Sequence, residues 1–95
     1  MEVTVFLAVR EDKGNEMIER LLKSGLASFA YLIHNVRAFH RGREEEGRSI
    51  MIFETDWILL GKCLTEVKKI SKEVNILAIL ETRGIRFLRD TFGMR

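Results

Sequence analysis

Basic side chains are concentrated in one short stretch of the sequence, around the run HRGREEEG at positions 40–47. A guanidinium group presents a planar set of N–H donors that matches the oxygens of carboxylates and phosphates, so clustered arginines can form an anion-binding site. An imidazole or an indole nearby can add a hydrogen bond or a stacking surface. The candidate ligand-binding residues are Arg37, His40, Arg41, Arg43, Arg48 and Trp57.

Structural roles are the alternative for these residues, and we favour them. Glu44, Glu45 and Glu46 lie among the arginines, so ion pairs within and between subunits would neutralise the basic cluster. Charged residues make up 32% of the chain and glutamine is absent, a composition typical of thermophile surfaces with their ion-pair networks. Trp57 opens a predicted helix, where a large aromatic ring commonly packs against its neighbours.

His34 and His40 are the candidate metal ligands, because they are the two histidines of the chain. They lie six residues apart on one predicted strand, which places them on the same face but about 20 Å from each other. A metal site therefore requires copies of one histidine from several subunits, which could meet on a threefold axis and bind zinc or another transition metal. A surface or hydrogen-bonded histidine is the alternative that we favour, and no pattern identifies a cofactor.

Cys63 is the single cysteine, which excludes an intrachain disulfide and is typical of a reducing compartment. It falls on the apolar stripe of a predicted helix, so we expect a buried and unreactive thiol. The sequence shows no nucleophile paired with a histidine, no catalytic carboxylate pair and no phosphate-binding loop. We predict a non-enzymatic, cytoplasmic protein.

Hydrophobic periodicity predicts the elements that must position these side chains. Asp12 or Asn15 could cap the first helix, Gly25 could end it, and Asp56 could cap the second. The predicted order is a strand at Val3–Val9, a helix around Met17–Leu22, strands at Ala27–Phe39 and Arg48–Thr55 joined by a turn at 40–47, a helix at Trp57–Ile70, a strand at Val74–Glu81 and a helix at Ile85–Phe92. This order predicts an α+β, ferredoxin-like βαββαβ sandwich with an antiparallel sheet, a long central hairpin and an added C-terminal helix, in a single domain at 1–95.

Apolar side chains occupy both faces of all four predicted strands. With helices on one face only, the other face would meet water unless another chain covers it. We therefore expect self-association with closed cyclic symmetry. A net charge of only +2 argues against nucleic acid as a partner, and no apolar stretch approaches the roughly 20 residues that span a membrane.

The chain resembles the CutA proteins, which belong with the nitrogen-regulatory PII group. The resemblance rests on the runs LLKSGLASFAYLI and VRAFHRGREEEGRSIMIFET, followed by a helix that begins DW. It implies a compact trimer whose three sheets pack around the threefold axis. Phe29 replaces the family's cysteine, Arg41-Gly42 replaces a longer hairpin tip, and Ser71-Lys72-Glu73 replaces a histidine-containing motif. The family's copper role is therefore not carried over.

Three functional hypotheses follow. The first is a trimeric CutA/PII-like protein that binds a small anionic ligand or a divalent metal ion in clefts between subunits, with a role in regulation or metal tolerance. The second is a nucleic-acid-binding or protein-binding module that uses the sheet or the arginine clusters, the second cluster being Arg83, Arg86, Arg89 and Arg95. The third is a structural oligomer without a ligand.

Overall fold

The computed structural model describes residues 1–84. The elements are β1 (Glu2–Arg10), α1 (Gly14–Lys23), β2 (Phe29–His40), β3 (Arg43–Asp56), a 3₁₀ turn (Trp57–Leu59), α2 (Leu60–Ile70) and β4 (Val74–Glu81). The predicted helix at Ile85–Phe92 and the arginines at 86, 89 and 95 lie outside the described residues. Within residues 1–84, no helix is long and apolar enough to cross a membrane.

All strand pairs in the sheet are antiparallel, and the strand order is β2-β3-β1-β4. This topology confirms the predicted ferredoxin-like βαββαβ fold. The central pair, β1 and β3, is in continuous register from Glu2 opposite Asp56 to Arg10 opposite Arg48. The bounds of β4 match the prediction, and β1 and β3 extend beyond their predicted bounds at both ends. β2 starts two residues later than predicted and ends one residue later.

The core lies between the two helices and one face of the sheet. Side chains alternate along a strand, so every second residue of β1 points to the helices. Phe53 of β3 is fully buried at the centre of this layer. The buried residues of the sheet and helices are Val3, Val5, Leu7, Val9, Met17, Leu21, Met51, Phe53, Leu60, Cys63 and Val67.

Helix termini follow the sequence signals in two of three cases. Gly25 has φ +72°, and the N–H groups of Leu26 and Gly25 donate to the carbonyls of Leu21 and Leu22, which is a Schellman motif. The Asp56 carboxylate accepts from the Ile58 N–H at 2.9 Å and caps the 3₁₀ turn that leads into α2.

The predicted cap of α1 is wrong. Neither Asp12 nor Asn15 holds the position, because α1 already starts at Gly14 and its N-cap residue, Lys13, makes no side-chain capping bond. The Asp12 carboxylate instead accepts two hydrogen bonds from Arg10.

Gly25, which follows α1, and Gly61, inside α2, give a matched test of the backbone conformation assigned to each glycine. A Cβ at Gly25 or at Gly61 would meet no atom within 4 Å, but only Gly25 has a positive φ. We expect Gly25→Ala to lower the free energy of unfolding by about 1 kcal/mol, because alanine is strained at that φ. Gly61→Ala, inside α2, should raise it by about 0.5–1 kcal/mol through helix propensity. Urea unfolding measures both variants, and equal effects would contradict the assigned geometry.

The turn of the hairpin is shorter than predicted. It contains only Arg41 and Gly42, with φ 53° and 78°, as a type I′ turn requires. Glu44 and Glu45 are strand residues paired with Phe39 and Ala38. A turn was predicted over 40–47 because these residues show no apolar alternation. That prediction was wrong, because a two-stranded ribbon with both faces in water needs no such alternation. We call residues 37–44 the hairpin tip.

A β-bulge interrupts each strand of the hairpin. The bulged residues are Asn35 in β2, with φ 56°, and Gly47 in β3, with φ 72°. The extra residue at Asn35 reverses the alternation of β2, so His34 and His40 lie on opposite faces. This corrects the expectation that they share one. From Arg48 toward the turn, β3 has no partner in β1, so the hairpin extends from the sheet as a two-stranded arm.

The sheet face opposite the helices is apolar, and we call it the open face. One row across it contains Tyr31, Ile52, Phe6 and Ala78, which lie directly opposite one another on neighbouring strands. Tyr31 is 56% exposed. The next rows add large exposed side chains at Phe29, Ile33 and Leu80.

Candidate functional site

A cleft of about 900 Å³ lies at the base of the hairpin arm, where the end of β1, the bulge of β3 and the start of β4 meet. Arg48 is the least exposed ionised group of this cleft, with a side chain only 15% exposed. Its Nε and Nη2 donate to Glu45 at 3.4 Å. Within residues 1–84, its Nη1 is buried and lacks a hydrogen-bond partner. Arg48 therefore retains an unused donor that a ligand oxygen or a water could satisfy.

Glu11 connects this cleft to both strands of the hairpin. Its backbone N–H donates to the carbonyl of the bulged Gly47 at 2.7 Å. Its carboxylate lies 3.8 Å from Nδ1 of His34, which is also 3.3 Å from the hydroxyl of Ser49. The base of the arm is thus fixed from two sides by one residue of the β1–α1 loop.

The cleft is acidic overall. Its charged lining consists of five carboxylates and two guanidinium groups, a net charge of −3: Arg10, Glu11, Asp12, Glu45, Glu46, Arg48 and Glu73. Arg10 is engaged by Asp12 at 2.9 Å and lies 4.0 Å from Glu73. A polyphosphate would meet net repulsion here, whereas a small monoanion that reaches Arg48 would meet less.

The tip of the arm holds four of the six predicted ligand-binding residues. Arg37 pairs with Glu44 at 2.9 Å, and its guanidinium carbon lies 5.1 Å from the ring centroid of Phe39. Arg41 and Arg43 are exposed and have no ion-pair partner among residues 1–84. Within residues 1–84, the expected ion pairs form at Arg37 and Arg48 and not at Arg41 or Arg43, and ion pairs between subunits stay a prediction.

His40, the fourth predicted residue at the tip, is exposed and lies opposite Arg43 next to the turn. The other two predicted residues lie elsewhere: Arg48 is at the base of the arm, and Trp57 directly follows β3 at the end of the sheet farthest from the arm. Trp57 is 54% exposed, so the expectation of a packed ring is wrong. Within one chain the six residues form three separate groups.

The two candidate metal ligands are also separate, since His34 lies at the base of the arm and His40 at its tip. Among residues 1–84, no group of three or more histidine, cysteine, aspartate or glutamate side chains is close enough to hold a metal ion. Metal binding by either histidine would require ligands from further copies of the chain and stays a prediction.

Cys63 is fully buried in the core, as expected. Its Sγ lies 3.5 Å from the hydroxyl of Thr55 and 3.6 Å from the carbonyl of Leu26. Burial raises the pKa of the Cys63 thiol, which keeps it protonated and unreactive.

Sequence reasoning missed Arg10, Glu11 and both bulges. A loop acid and a strand arginine carry no local pattern for this site, since the register places Arg10 opposite Arg48 and the Glu11 N–H against the Gly47 carbonyl across more than 35 residues of sequence. The bulges had a signal, because asparagine and glycine inside strand segments are the residues that tolerate positive φ.

No protein-family model and no curated protein matches the chain. Solved structures do match it in fold. A DUF3240 family protein from Shewanella baltica superposes with a TM-score of 0.71 at 17% identity, over 84% of this chain and 88% of that one. The periplasmic divalent cation tolerance protein CutA from Archaeoglobus fulgidus has a TM-score of 0.67 at 17% identity, over 85% and 83%.

A third similar structure is CPII from Thiomonas intermedia, a nitrogen regulatory PII-like protein bound to ADP, AMP and bicarbonate. Its TM-score is 0.65 at 10% identity, over 83% of this chain and 89% of that one. Identities this low establish the fold and leave the ligand open. The chain is thus a divergent representative of the CutA and PII-like fold.

Proposed function

We propose that the protein is a non-enzymatic trimer that binds a small anion at the base of the hairpin arm, in a cleft that the neighbouring subunit completes. The observation that carries the ligand is the buried Nη1 of Arg48, which lacks an acceptor within residues 1–84. An unsatisfied buried donor costs about 1–3 kcal/mol, and an oxyanion oxygen would remove that cost. The similar PII-like protein bound to bicarbonate provides a monoanion of suitable size as a probe.

The open face supports the assembly. One row of the open face is apolar across all four strands, and the adjacent rows add large exposed side chains at Phe29, Ile33 and Leu80 beside the polar Glu54, Thr4 and Asn75. Such a patch exceeds the scattered apolar exposure of ordinary monomers and is typical of a protein interface. Closed symmetry buries identical faces without leaving a free edge of the assembly, and three copies around one axis agree with the CutA resemblance. We place this protein in the cytoplasm, with a regulatory role.

Isothermal titration calorimetry with bicarbonate and with ADP tests the ligand. We expect bicarbonate to bind more tightly than ADP, because the cleft lining carries a net charge of −3. Arg48→Ala should weaken bicarbonate binding by about tenfold or more, since a charge-assisted hydrogen bond contributes about 1.5–3 kcal/mol. Lys68→Ala, an exposed change on α2, is the matched control and should bind as the wild type does. Unchanged affinity in Arg48→Ala would contradict the site.

A divalent metal ion is the second candidate ligand. The observation in its favour is the group of Glu11, His34 and Ser49 at the base of the arm, which offers one imidazole and one carboxylate within 3.8 Å of each other. The similar CutA protein described as a divalent cation tolerance protein supports the same class. Zinc that co-purifies in native mass spectrometry and is lost in His34→Ala, but not in His40→Ala, would favour the metal.

A further inference from the structure

Arg48 is held less tightly than the other arginine of the cleft. Asp12 binds Arg10 through both of its carboxylate oxygens, which lie 3.0 Å from Nε and 2.9 Å from Nη2. Nε and Nη2 of Arg48 instead share one oxygen of Glu45, each at 3.4 Å. Charge-assisted hydrogen bonds are usually about 2.7–2.9 Å long, and the strongest carboxylate pairs use both oxygens. The Glu45 contact is therefore a weak one that another anion could replace.

The bulge at Gly47 creates this contact. Residues three apart on a regular strand point to opposite faces, because side chains alternate. Here Glu45 lies opposite Ala38 in the register. Arg48 lies opposite Val36, so three steps along β3 correspond to two along β2. The extra residue brings the carboxylate onto the same face as the guanidinium, and the pairing is thus built into the backbone of the arm.

The two partners differ in exposure. The Glu45 side chain is 43% exposed, and that of Arg48 is 15% exposed. The carboxylate can turn into water and keep its hydration, whereas the guanidinium stays in the cleft. Within residues 1–84, Nη1 of Arg48 already lacks an acceptor. An anion that replaces the Glu45 oxygen can therefore reach Nη1 and Nη2 together, and these present the two parallel N–H groups that suit a planar oxyanion.

We propose that Glu45 is an internal competitor at the anion site, and that binding exchanges its carboxylate for the anion on Arg48. The inference rests on the proposed function and names the residue that sets the affinity of its site. Glu45 keeps the guanidinium paired when the anion is absent, and every bound anion must displace it. Loss of this carboxylate removes the competitor and one of the five negative charges of the cleft lining. The site should then bind small anions more tightly.

Calorimetric titration of Glu45→Gln with bicarbonate, at constant ionic strength, tests the exchange. Glutamine keeps the shape of the side chain and removes its charge, so we expect bicarbonate to bind about tenfold more tightly than in the wild type. Glu46→Gln is the matched control. Glu46 lines the same cleft and its loss changes the net charge equally, but within residues 1–84 it has no ion pair with Arg48. This control should strengthen binding by no more than about threefold.

The double variant Glu45→Gln/Arg48→Ala shows whether the gain acts through Arg48. Without the guanidinium there is nothing to compete for, so the double variant should bind bicarbonate as weakly as Arg48→Ala alone. Circular dichroism of each variant confirms that it is folded.

The same titrations separate failure of the exchange from failure of the anion site. Equal effects of Glu45→Gln and Glu46→Gln would overturn the exchange, while loss of binding in Arg48→Ala would leave the anion site intact. Weaker binding in Glu45→Gln would mean that the carboxylate positions Arg48, which also overturns the exchange. A gain that persists in the double variant would contradict it as well. If Arg48→Ala binds bicarbonate as the wild type does, the proposed function fails and the exchange fails with it.

Discussion

Replacing Tyr31 by glutamate is expected to convert the assembled protein into a folded monomer. Tyr31 lies in the central row of the open face and is 56% exposed in the single chain, so glutamate does not disturb the subunit core. In the assembly, the new carboxylate would be buried among apolar side chains without a counter-charge, at a cost of several kcal/mol per subunit. In the proposed trimer this cost arises three times, so the trimer should not form at micromolar concentration.

Light scattering coupled to size exclusion measures this change directly as the mass of the particle. Leu22→Glu is the matched control, because Leu22 is 43% exposed but lies on α1, away from the open face. It should leave the mass unchanged. A Tyr31→Glu protein with the wild-type mass would show that the open face is not the interface.

Phe53→Ala is expected to lose about 3–5 kcal/mol of unfolding free energy, the largest stability effect of any single change considered. The ring is fully buried where β3 crosses the centre of the core, so its removal leaves a cavity that the two helices and the two neighbouring strands, β1 and β2, cannot close. Small domains are stable by about 5–15 kcal/mol, and this change would remove much of that.

Chemical denaturation at a fixed protein concentration measures the loss, because self-association adds to apparent stability. If Phe53→Ala does not fold, Phe53→Leu can be measured in its place. It removes less of the side chain and should lower the free energy of unfolding by a smaller amount. Leu22→Ala on the exposed side of α1 is the control and should change stability by less than about 1 kcal/mol. A Phe53→Ala loss as small as that of the control would contradict the assigned core.

Periodic apolar patterns were sufficient to predict the architecture. Val74–Glu81 contains a continuous apolar run from Ile76 to Leu80, and its bounds were predicted as observed, although its pairing with β1 is irregular between Phe6 and Leu7. The hairpin was predicted less well, because its arm makes no core contact and hydrophobic alternation carries no signal there. The arm is held by cross-strand backbone pairing and by ion pairs such as Arg37 with Glu44, which local sequence does not reveal.

The site was predicted as a set of residue types, and its arrangement was not. Clustered arginines were visible in the sequence, but one extra residue at Asn35 moved His34 and His40 to opposite faces. Only the three-dimensional register places Arg10 opposite Arg48 and Glu11 beside Gly47. Asn35 and Gly47 are residue types that tolerate the positive φ of a bulge, but the strand register and the loop contacts that follow from the bulges depend on the whole sheet.

The mass of the untagged protein in native mass spectrometry tests the central proposal most directly. We expect a particle of three 11.1 kDa chains for the wild type and monomers for Tyr31→Glu. Added bicarbonate should appear as extra mass on the trimer and should be absent in Arg48→Ala. A monomer as purified would contradict the account, because the open face would then meet water and the cleft would lack its second subunit. Co-purified nucleic acid would instead favour the nucleic-acid-binding alternative.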